Sequence, residues 1–354
     1  MLDNTPTLSD EAARQFQICN SCRYCEGYCD VFPQLFALPE VSEAQAAHLA
    51  NLCHNCRGCY YACQYAPPHE FALNLPAVLA ELRQETWERH ARPQALAKVF
   101  HTHGVAVAAA LIAGFALLFF AMAALRPDSG EGFYAYLSHN AMVLIFAPAF
   151  VLPLVGLALS LRSYWREIGG GRITFADLRH MGSSVARMKN LSGGAGQGCN
   201  FEQGARYSNA RRHAHQATLW GFLMCFAATS VATLMHYGLG WEAPYPFWSP
   251  PKLLGVPGGI LLCLGTGALA WLKLRADPGL GAERVWGGEM AFVLLLFTVS
   301  ATGLALYAAT GTGAVPALLA IHLGSVLAFF VLTPYTKMVH GFYRMAALLA
   351  RGRD

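Results

Sequence analysis

Eight of the eleven cysteines are crowded into residues 19–63 and form two copies of one spacing, C-x2-C-x2-C-x3-C. The eight cysteines of the two runs are Cys19, Cys22, Cys25 and Cys29, then Cys53, Cys56, Cys59 and Cys63. Each cysteine of the second run lies 34 residues after its counterpart, so the segment is an internal duplication. Three thiolates at steps of three residues can hold three corners of a four-iron cubane, whose fourth iron needs a more distant cysteine. The pattern therefore predicts two [4Fe–4S] clusters.

The fourth ligand of each cluster is expected to come from the other run, as in two-cluster ferredoxins. This assigns cluster 1 to Cys19, Cys22, Cys25 and Cys63, and cluster 2 to Cys53, Cys56, Cys59 and Cys29. A ferredoxin run usually continues with proline, whereas Asp30 and Gln64 follow here, so the chain leaves the clusters differently. A zinc site is the alternative, but zinc proteins use C-x2-C pairs set well apart.

Four histidines lie at the ends of long apolar stretches, where they could bind haem iron. They are His215 and His340 on the expected inner side, and His236 and His322 on the outer side. On one continuous helix, the 18 residues from His322 to His340 make five turns, about 27 Å, so both would share a face. The 21 residues from His215 to His236 leave that pair roughly 60° from alignment.

Two helices that each carry a histidine near both membrane faces can supply bis-histidine ligation to one or two haems. No C-x2-C-H occurs, so the haem would be b-type. If only one haem is present, the expected pair is His236 and His322. Basic side chains near the inner pair that could bind haem propionates are Arg211, Arg212, Lys337 and Arg344. The alternative interpretation is that these histidines are ordinary polar residues at helix ends.

The elements that must position these residues are membrane helices. Of the 354 residues 55% are apolar and only 13% are charged, against roughly 25% charged residues in a soluble domain. A spanning helix needs about 20 apolar residues. Stretches of that kind occur at about 104–125, 141–161, 217–237, 253–272, 290–310 and 316–338. The sequence therefore predicts an all-α protein with a six-helix transmembrane bundle.

The charges divide the chain into an acidic head and a basic membrane part. Residues 1–103 carry 7 Lys/Arg and 11 Asp/Glu, whereas residues 104–354 carry 18 and 10. We expect a cytoplasmic two-cluster ferredoxin-like domain over 1–103 and a six-span cytochrome-b-like domain over 104–354. The Ser42-Glu43-Ala44-Gln45 capping box predicts a helix over 43–51, and a second helix is expected over 76–90, so the head is expected to be α-helical.

Orientation follows from the connection 162–216, which alone carries nine Lys/Arg. Such residues accumulate on the cytoplasmic side, so both termini are expected in the cytoplasm of a bacterium, at its inner membrane. Residues 1–16 are polar and lack the apolar core of a signal peptide, so the head thiols are expected to stay reduced. The same basic connection could also seat an acidic partner. No aromatic-plus-basic repeat indicates nucleic-acid binding.

No organic substrate site is evident in the sequence. The segment 193–198 is rich in glycine but misses the dinucleotide fingerprint G-x-G-x-x-G, because Cys199 stands at the last position. No paired acids, Ser/His/Asp set or P-loop occurs. The role of Cys199 is left open, and Cys225 and Cys263 are expected to be small apolar residues in spans. The chain is therefore expected to carry electrons and not to oxidise a substrate itself.

The double cysteine run joined to six spans resembles the tricarballylate-utilisation or citrate-utilisation protein B family. The resemblance runs from about residue 19 to residue 349. The distinctive strings span 198–201, 220–230, 236–246, 320–324 and 337–341. The resemblance implies a membrane iron–sulfur and haem b protein that reoxidises the FAD of a soluble tricarballylate dehydrogenase and reduces quinone. The rivals are a quinone-reductase module for another dehydrogenase and a redox sensor or transporter. A transporter fits poorly because these spans carry no charged residue near the midplane.

Overall fold

The computed structural model describes residues 7–125, 136–193, 196–200, 206–241 and 243–350. Over these residues the chain is α-helical, and the only β-type pairing is an isolated bridge between Cys199 and Ser208. The described helices are α1 Leu8–Cys22, α2 Val31–Phe36, α3 Glu43–Leu52, α4 Gly58–Tyr61, α5 Leu75–His90, α6 Gln94–Ala124, α7 His139–Glu167, α8 Phe175–Arg187, α9 Ala210–Leu239, α10 Pro250–Arg275, α11 Glu283–Ala308, α12 Val315–Leu332 and α13 Val339–Leu349. The predicted all-α class is confirmed.

The head is built from α1 to α5, and both helices predicted in it are present. The Ser42 hydroxyl accepts from the Gln45 backbone N–H while the Gln45 side chain accepts from the Ser42 backbone N–H, so the capping box starts α3. Asn74 caps α5 at the Ala77 backbone N–H. These helices bury a common apolar core that includes Phe16, Leu35, Leu49, Leu52 and Leu79. The head is thus helical, and Ala347 and Leu348 of α13 complete its core.

Six helices are long and apolar enough to cross a membrane, by length and composition. They are α6, α7, α9, α10, α11 and the segment Val315–Leu349, which contains α12 and α13. The first of them begins at Gln94, ten residues before the predicted start of the span, and is interrupted at His103, where the backbone is not helical (φ −124°, ψ 27°). The predicted six-helix membrane bundle is confirmed, and its first helix continues directly into the head.

Small residues bring neighbouring spans into backbone contact. A Cβ added to Gly221 on α9 would lie 2.4 Å from the Leu262 backbone nitrogen on α10, and one on Gly265 would lie 2.6 Å from the Thr218 nitrogen. On α12, a Cβ on Gly324 would lie 2.7 Å from the Ala116 nitrogen on α6. Close approach through small residues is the usual packing of membrane helices, and here it fixes the helices that carry the histidines.

The sixth span is not one continuous helix. α12 ends at Leu332, a 3₁₀ turn covers Thr333–Tyr335, and α13 begins at Val339. Proline cannot supply a backbone N–H and clashes with the preceding turn, so the helix breaks at Pro334. The expectation that His322 and His340 align along one straight helix is therefore wrong, and His340 is instead carried on a separate helix directed at the head.

The head rests on one end of the bundle through α3 and α5. α3 packs on α13, and α5 packs on α6, α7 and α11. The His48 ring bonds to the Ala347 carbonyl across 2.9 Å, and the Trp87 indole N–H donates to Asn51 across 3.0 Å within the head. The head is therefore attached to the bundle by polar contacts on defined residues.

Candidate functional site

The four cysteines assigned to cluster 1 line one cavity of the head, here called the distal cavity. Cys19, Cys22, Cys25 and Cys63 stand around it with the aromatic side chains of Phe32, Phe36 and Tyr65. At its rim Tyr24 is 67% exposed, and the Gln64 amide donates to the Cys22 sulfur across 3.7 Å. Three cysteines of the first run and the last cysteine of the second run thus meet at one opening.

The other four cysteines line a second cavity, the proximal cavity. It is surrounded by Cys29, Cys53, Cys56 and Cys59. Asn190, Gly193 and Tyr207, which belong to the connection 162–216, also line it. The structure therefore sorts the eight cysteines into the two sets that exchange of the fourth ligands predicts. The proximal cavity differs from the distal one because residues following the second span help to enclose it.

Equivalent turns of the duplicated runs shape both cavities. Arg23 and Arg57 occupy matching positions, each directly after a second cysteine, and both have a left-handed backbone (φ 55° and 63°). This conformation is unusual for a residue with a side chain and reverses the chain after the cysteine. Backbone N–H groups then reach sulfur, as Asn55 does at Cys53 across 3.2 Å and Gly58 does at Cys56. Such hydrogen bonds stabilise thiolate ligands and tune iron–sulfur sites.

The electrostatics of the cavities suit a cationic group bound to thiolates. Burial and the neighbouring Cys25 raise the pKa of Cys19 to about 12, and burial raises the pKa of Cys56 to about 11. Four such groups become thiolates only if a bound cation offsets their desolvation and mutual repulsion. In the described residues, no three His, Cys, Asp or Glu side chains converge as the ligands of one metal ion do. Each cavity is lined by four cysteines, which is the ligand number of a [4Fe–4S] cluster, so the donor sets fit that group.

The two inner histidines are neighbours. The rings of His215 on α9 and His340 on α13 have centroids 5.8 Å apart at an interplanar angle of 71°. The Nδ1 atom of His340 bonds to the Lys337 carbonyl, which leaves Nε2 as the nitrogen free for a ligand. Metal-binding histidines usually donate their other ring N–H in this way. His215 and His340 would thus be the side chains that hold a haem iron between α9 and α13.

The outer histidines are placed differently. His236 stacks on His139 of α7, with ring centroids 4.3 Å apart and an interplanar angle of 29°. The His322 Nδ1 atom lies 3.1 Å from the Thr302 hydroxyl. Among the ring contacts of the described ranges, none joins His236 to His322. The stacked ring of His139 is a neighbour of His236 that sequence spacing does not reveal.

The four side chains considered for haem propionates have protein partners. Arg211 donates to the Asn55 carbonyl across 2.6 Å, and Arg212 donates to the Arg187 carbonyl across 2.8 Å. The Nζ atom of Lys337 lies 2.6 Å from a carboxylate oxygen of Glu289. Arg344 donates to the backbone carbonyls of Asn51 and Cys53 and to the His54 ring. Arg211 and Arg344 therefore hold the second cysteine run against the bundle.

His54, next to Cys53, is a residue of this site that sequence reasoning missed. Its ring is buried, and burial together with the Arg344 guanidinium holds the pKa of His54 well below its usual range. The neutral ring accepts a hydrogen bond from Arg344. Because Arg344 and His340 share α13, His54 links the proximal cavity to the inner histidines. The only signal in the sequence was its position between two cysteine ligands.

Comparisons with known proteins identify the family of the chain. The family described as Citrate utilization protein B Fer4-like domain matches residues 12–89, and the family described as Citrate utilization protein B matches residues 90–354. A protein of Escherichia coli named Citrate utilization protein B is 43% identical over 346 residues, covering 96% of this chain and 90% of the relative. No solved structure matches the chain. With an iron–sulfur type of head, six apolar helices and these matches over nearly its whole length, the chain belongs to the citrate utilization protein B family.

Proposed function

We propose that the protein carries electrons from a soluble FAD-dependent dehydrogenase, tricarballylate dehydrogenase by family resemblance, through two [4Fe–4S] clusters and haem b to membrane quinone. When bound, these groups supply one-electron carriers between a two-electron flavin and a two-electron quinone. The observation that supports the proposal is the sorting of eight cysteines into two cavities, with the fourth cysteine of each set taken from the other run.

The placement of the cavities supports an order of transfer. The distal cavity has the exposed Tyr24 at its rim, where a soluble partner has access. The proximal cavity lies against the membrane domain, and its Cys53 carbonyl accepts from Arg344 on α13. His340 lies on the same helix, beside His215. These contacts support a route from the distal cavity through the proximal cavity to His340 and His215.

One or two haems are part of the proposal, with His215 and His340 as the inner ligands. An outer haem would use His236 and His322, which lie near the other ends of the same spans. The proposed location is a bacterial inner membrane with both termini in the cytoplasm, supported by the nine Lys/Arg of the connection 162–216. A quinone-reductase module that serves a different dehydrogenase would give the same spectra. The two functions are distinguished by which dehydrogenase reduces the protein. A redox sensor or transporter would show no haem bands.

Metal analysis of anaerobically purified protein tests the cluster assignment. We expect about eight iron and eight acid-labile sulfide per chain beyond haem iron, since each four-cysteine set holds a four-iron cluster. Electron paramagnetic resonance of the reduced protein is expected to show two interacting cubanes. Cys63→Ser is expected to alter only the distal cluster signal, and Cys29→Ser only the proximal one. Zinc in place of iron, or the reverse pattern in the two variants, would contradict the assignment.

Partner docking is expected at the rim of the distal cavity. Tyr24→Ala is expected to slow reduction of the clusters by the reduced flavoprotein about tenfold, because exposed aromatic residues often anchor interfaces. Stopped-flow absorbance with the purified dehydrogenase measures this rate, and unchanged reduction by dithionite serves as the control. Arg206→Glu, on the basic connection, tests the rival surface. If Arg206→Glu alone slows the reaction, the flavoprotein docks on the connection instead.

A further inference from the structure

Part of the connection 162–216 covers the proximal cavity. Asp30, which follows the fourth cysteine of the first run, accepts from the Asn190 amide across 2.9 Å and approaches Lys189 within 3.4 Å. Further along, the Asn200 backbone N–H donates to the Cys56 carbonyl across 2.9 Å. The buried Cys199 packs with Met188 and Leu191, and Cys56 packs against this group. Both ends of the covering segment are thus attached to the cysteine runs.

Asn200 is the residue of this segment without an evident structural role for its side chain. The residue is 0% exposed, yet among the residues that the structure describes neither its amide nitrogen nor its carbonyl oxygen has a hydrogen-bond partner. A buried carboxamide without partners costs about 1–3 kcal/mol for each unpaired group. Native proteins keep few such groups without a functional reason. The position therefore indicates a partner other than the described side chains and backbone groups.

The side chain of Asn200 is close to the sulfur of a proposed cluster ligand. A point at Cβ distance from Gly58 lies 3.7 Å from the Asn200 Oδ1 atom, 3.9 Å from the Cys56 sulfur and 3.9 Å from the Tyr28 ring. The carboxamide and the thiolate therefore border the same small volume beside the proximal cavity. Rotation of the side-chain amide by 180° exchanges its oxygen and nitrogen without changing the shape of the group. The neighbouring donors and acceptors decide which of the two atoms faces a ligand.

We propose that Asn200 donates its amide N–H to the sulfur of Cys56 or to an adjacent sulfide of the proximal [4Fe–4S] cluster and so raises the reduction potential of that cluster. The inference rests on the proposed second cluster. One-electron reduction adds negative charge to the cluster and its sulfur atoms, and a hydrogen bond to sulfur stabilises the more negative state. The membrane domain would thereby make the proximal cluster the better electron acceptor, so that electrons move from the distal cluster toward the bundle.

Asn200→Leu and Asn200→Asp test the proposal by changing the donor while keeping the approximate size of the side chain. In a redox titration followed by electron paramagnetic resonance, both are expected to shift the midpoint of the proximal cluster to a more negative potential. The distal midpoint is expected to stay unchanged. Ser192→Ala, on the same connection, is the control and is expected to leave both midpoints unchanged, because its hydroxyl donates to the Lys189 carbonyl of that connection. Unshifted midpoints in the Asn200 variants, with full iron content, would overturn the proposal.

A measurement on the unaltered protein covers the case in which the variants lose the cluster. With asparagine labelled by ¹⁵N in the side-chain amide only, pulsed electron paramagnetic resonance of the reduced protein is expected to show a weak ¹⁵N coupling at the proximal cluster. The coupling is expected to persist when Asn55 and Asn190, which also line this cavity, are replaced by Asp. A reduced protein with two clusters and no such coupling would overturn the role of Asn200 alone. A protein that never shows a second cluster signal would instead overturn the proposed function.

Discussion

A His340→Ala variant is expected to lose one low-spin haem b while keeping both iron–sulfur clusters. The physical reason is that alanine offers no ligand in place of imidazole, so the iron loses an axial bond. The ring of His340 lies beside that of His215, and its Nδ1 atom is held by the Lys337 carbonyl. Absorption spectra before and after dithionite measure the haem, and electron paramagnetic resonance measures the clusters. We expect loss of essentially all absorbance of the inner haem.

Companion variants separate ligation from general disturbance. His215→Ala is expected to cause the same loss of haem. The double variant His215→Ala/His340→Ala is expected to lose no more haem than either single variant, because the loss of one ligand already abolishes the site. His213→Ala is the matched control, since His213 is an exposed histidine two residues away on the same helix. His322→Ala reports separately on an outer haem. Normal spectra in both the His215 and His340 variants would refute the inner site.

The grouping of the cysteines could be predicted from the sequence because the spacing within the runs is a local property. The duplicated runs predict two clusters with exchanged fourth ligands, and the cysteines that line the two cavities fall into those two sets. The membrane helices could also be predicted from the sequence, since the length of an apolar stretch alone defines a span. Helix α3 followed from one capping box. In each case the information lies within a few turns of the chain.

The arrangement of the histidines depended on long-range packing, which spacing does not contain. Alignment of His322 with His340 assumed a continuous helix, and the break at Pro334 redirected the second of them. His139 became the neighbour of His236 only because α7 approaches α9 in space. The charge of Arg344 suggests a partner for a haem propionate. Because Arg344 lies against the head, its guanidinium donates instead to the backbone carbonyls of Asn51 in α3 and of Cys53. Tertiary contacts decided all three.

One residue that the sequence did not single out joins three parts of the structure. Glu289, near the start of α11, has a carboxylate oxygen 2.7 Å from the Lys273 Nζ atom of α10 and another 2.6 Å from the Lys337 Nζ atom. The Arg83 guanidinium of α5 in the head approaches it within 3.6 Å. The Arg83 side chain is only 5% exposed and that of Glu289 only 11%. A single carboxylate therefore faces three cations between the head and the bundle.

Glu289→Ala is expected to lower stability by about 3–5 kcal/mol, because removing one partner of a buried ion pair leaves uncompensated charge. A fall in the melting temperature of the detergent-solubilised protein measures this loss, and earlier proteolytic release of the head locates it at the interface. Glu283→Ala is the matched control, since Glu283 is exposed on the same helix and is expected to change stability by at most about 0.5 kcal/mol. Adding Lys337→Met to Glu289→Ala is expected to recover part of the loss, because one of the unpaired cations is removed with its partner. Equal melting temperatures for the Glu289 and Glu283 variants would show that this carboxylate does not hold the head on the bundle.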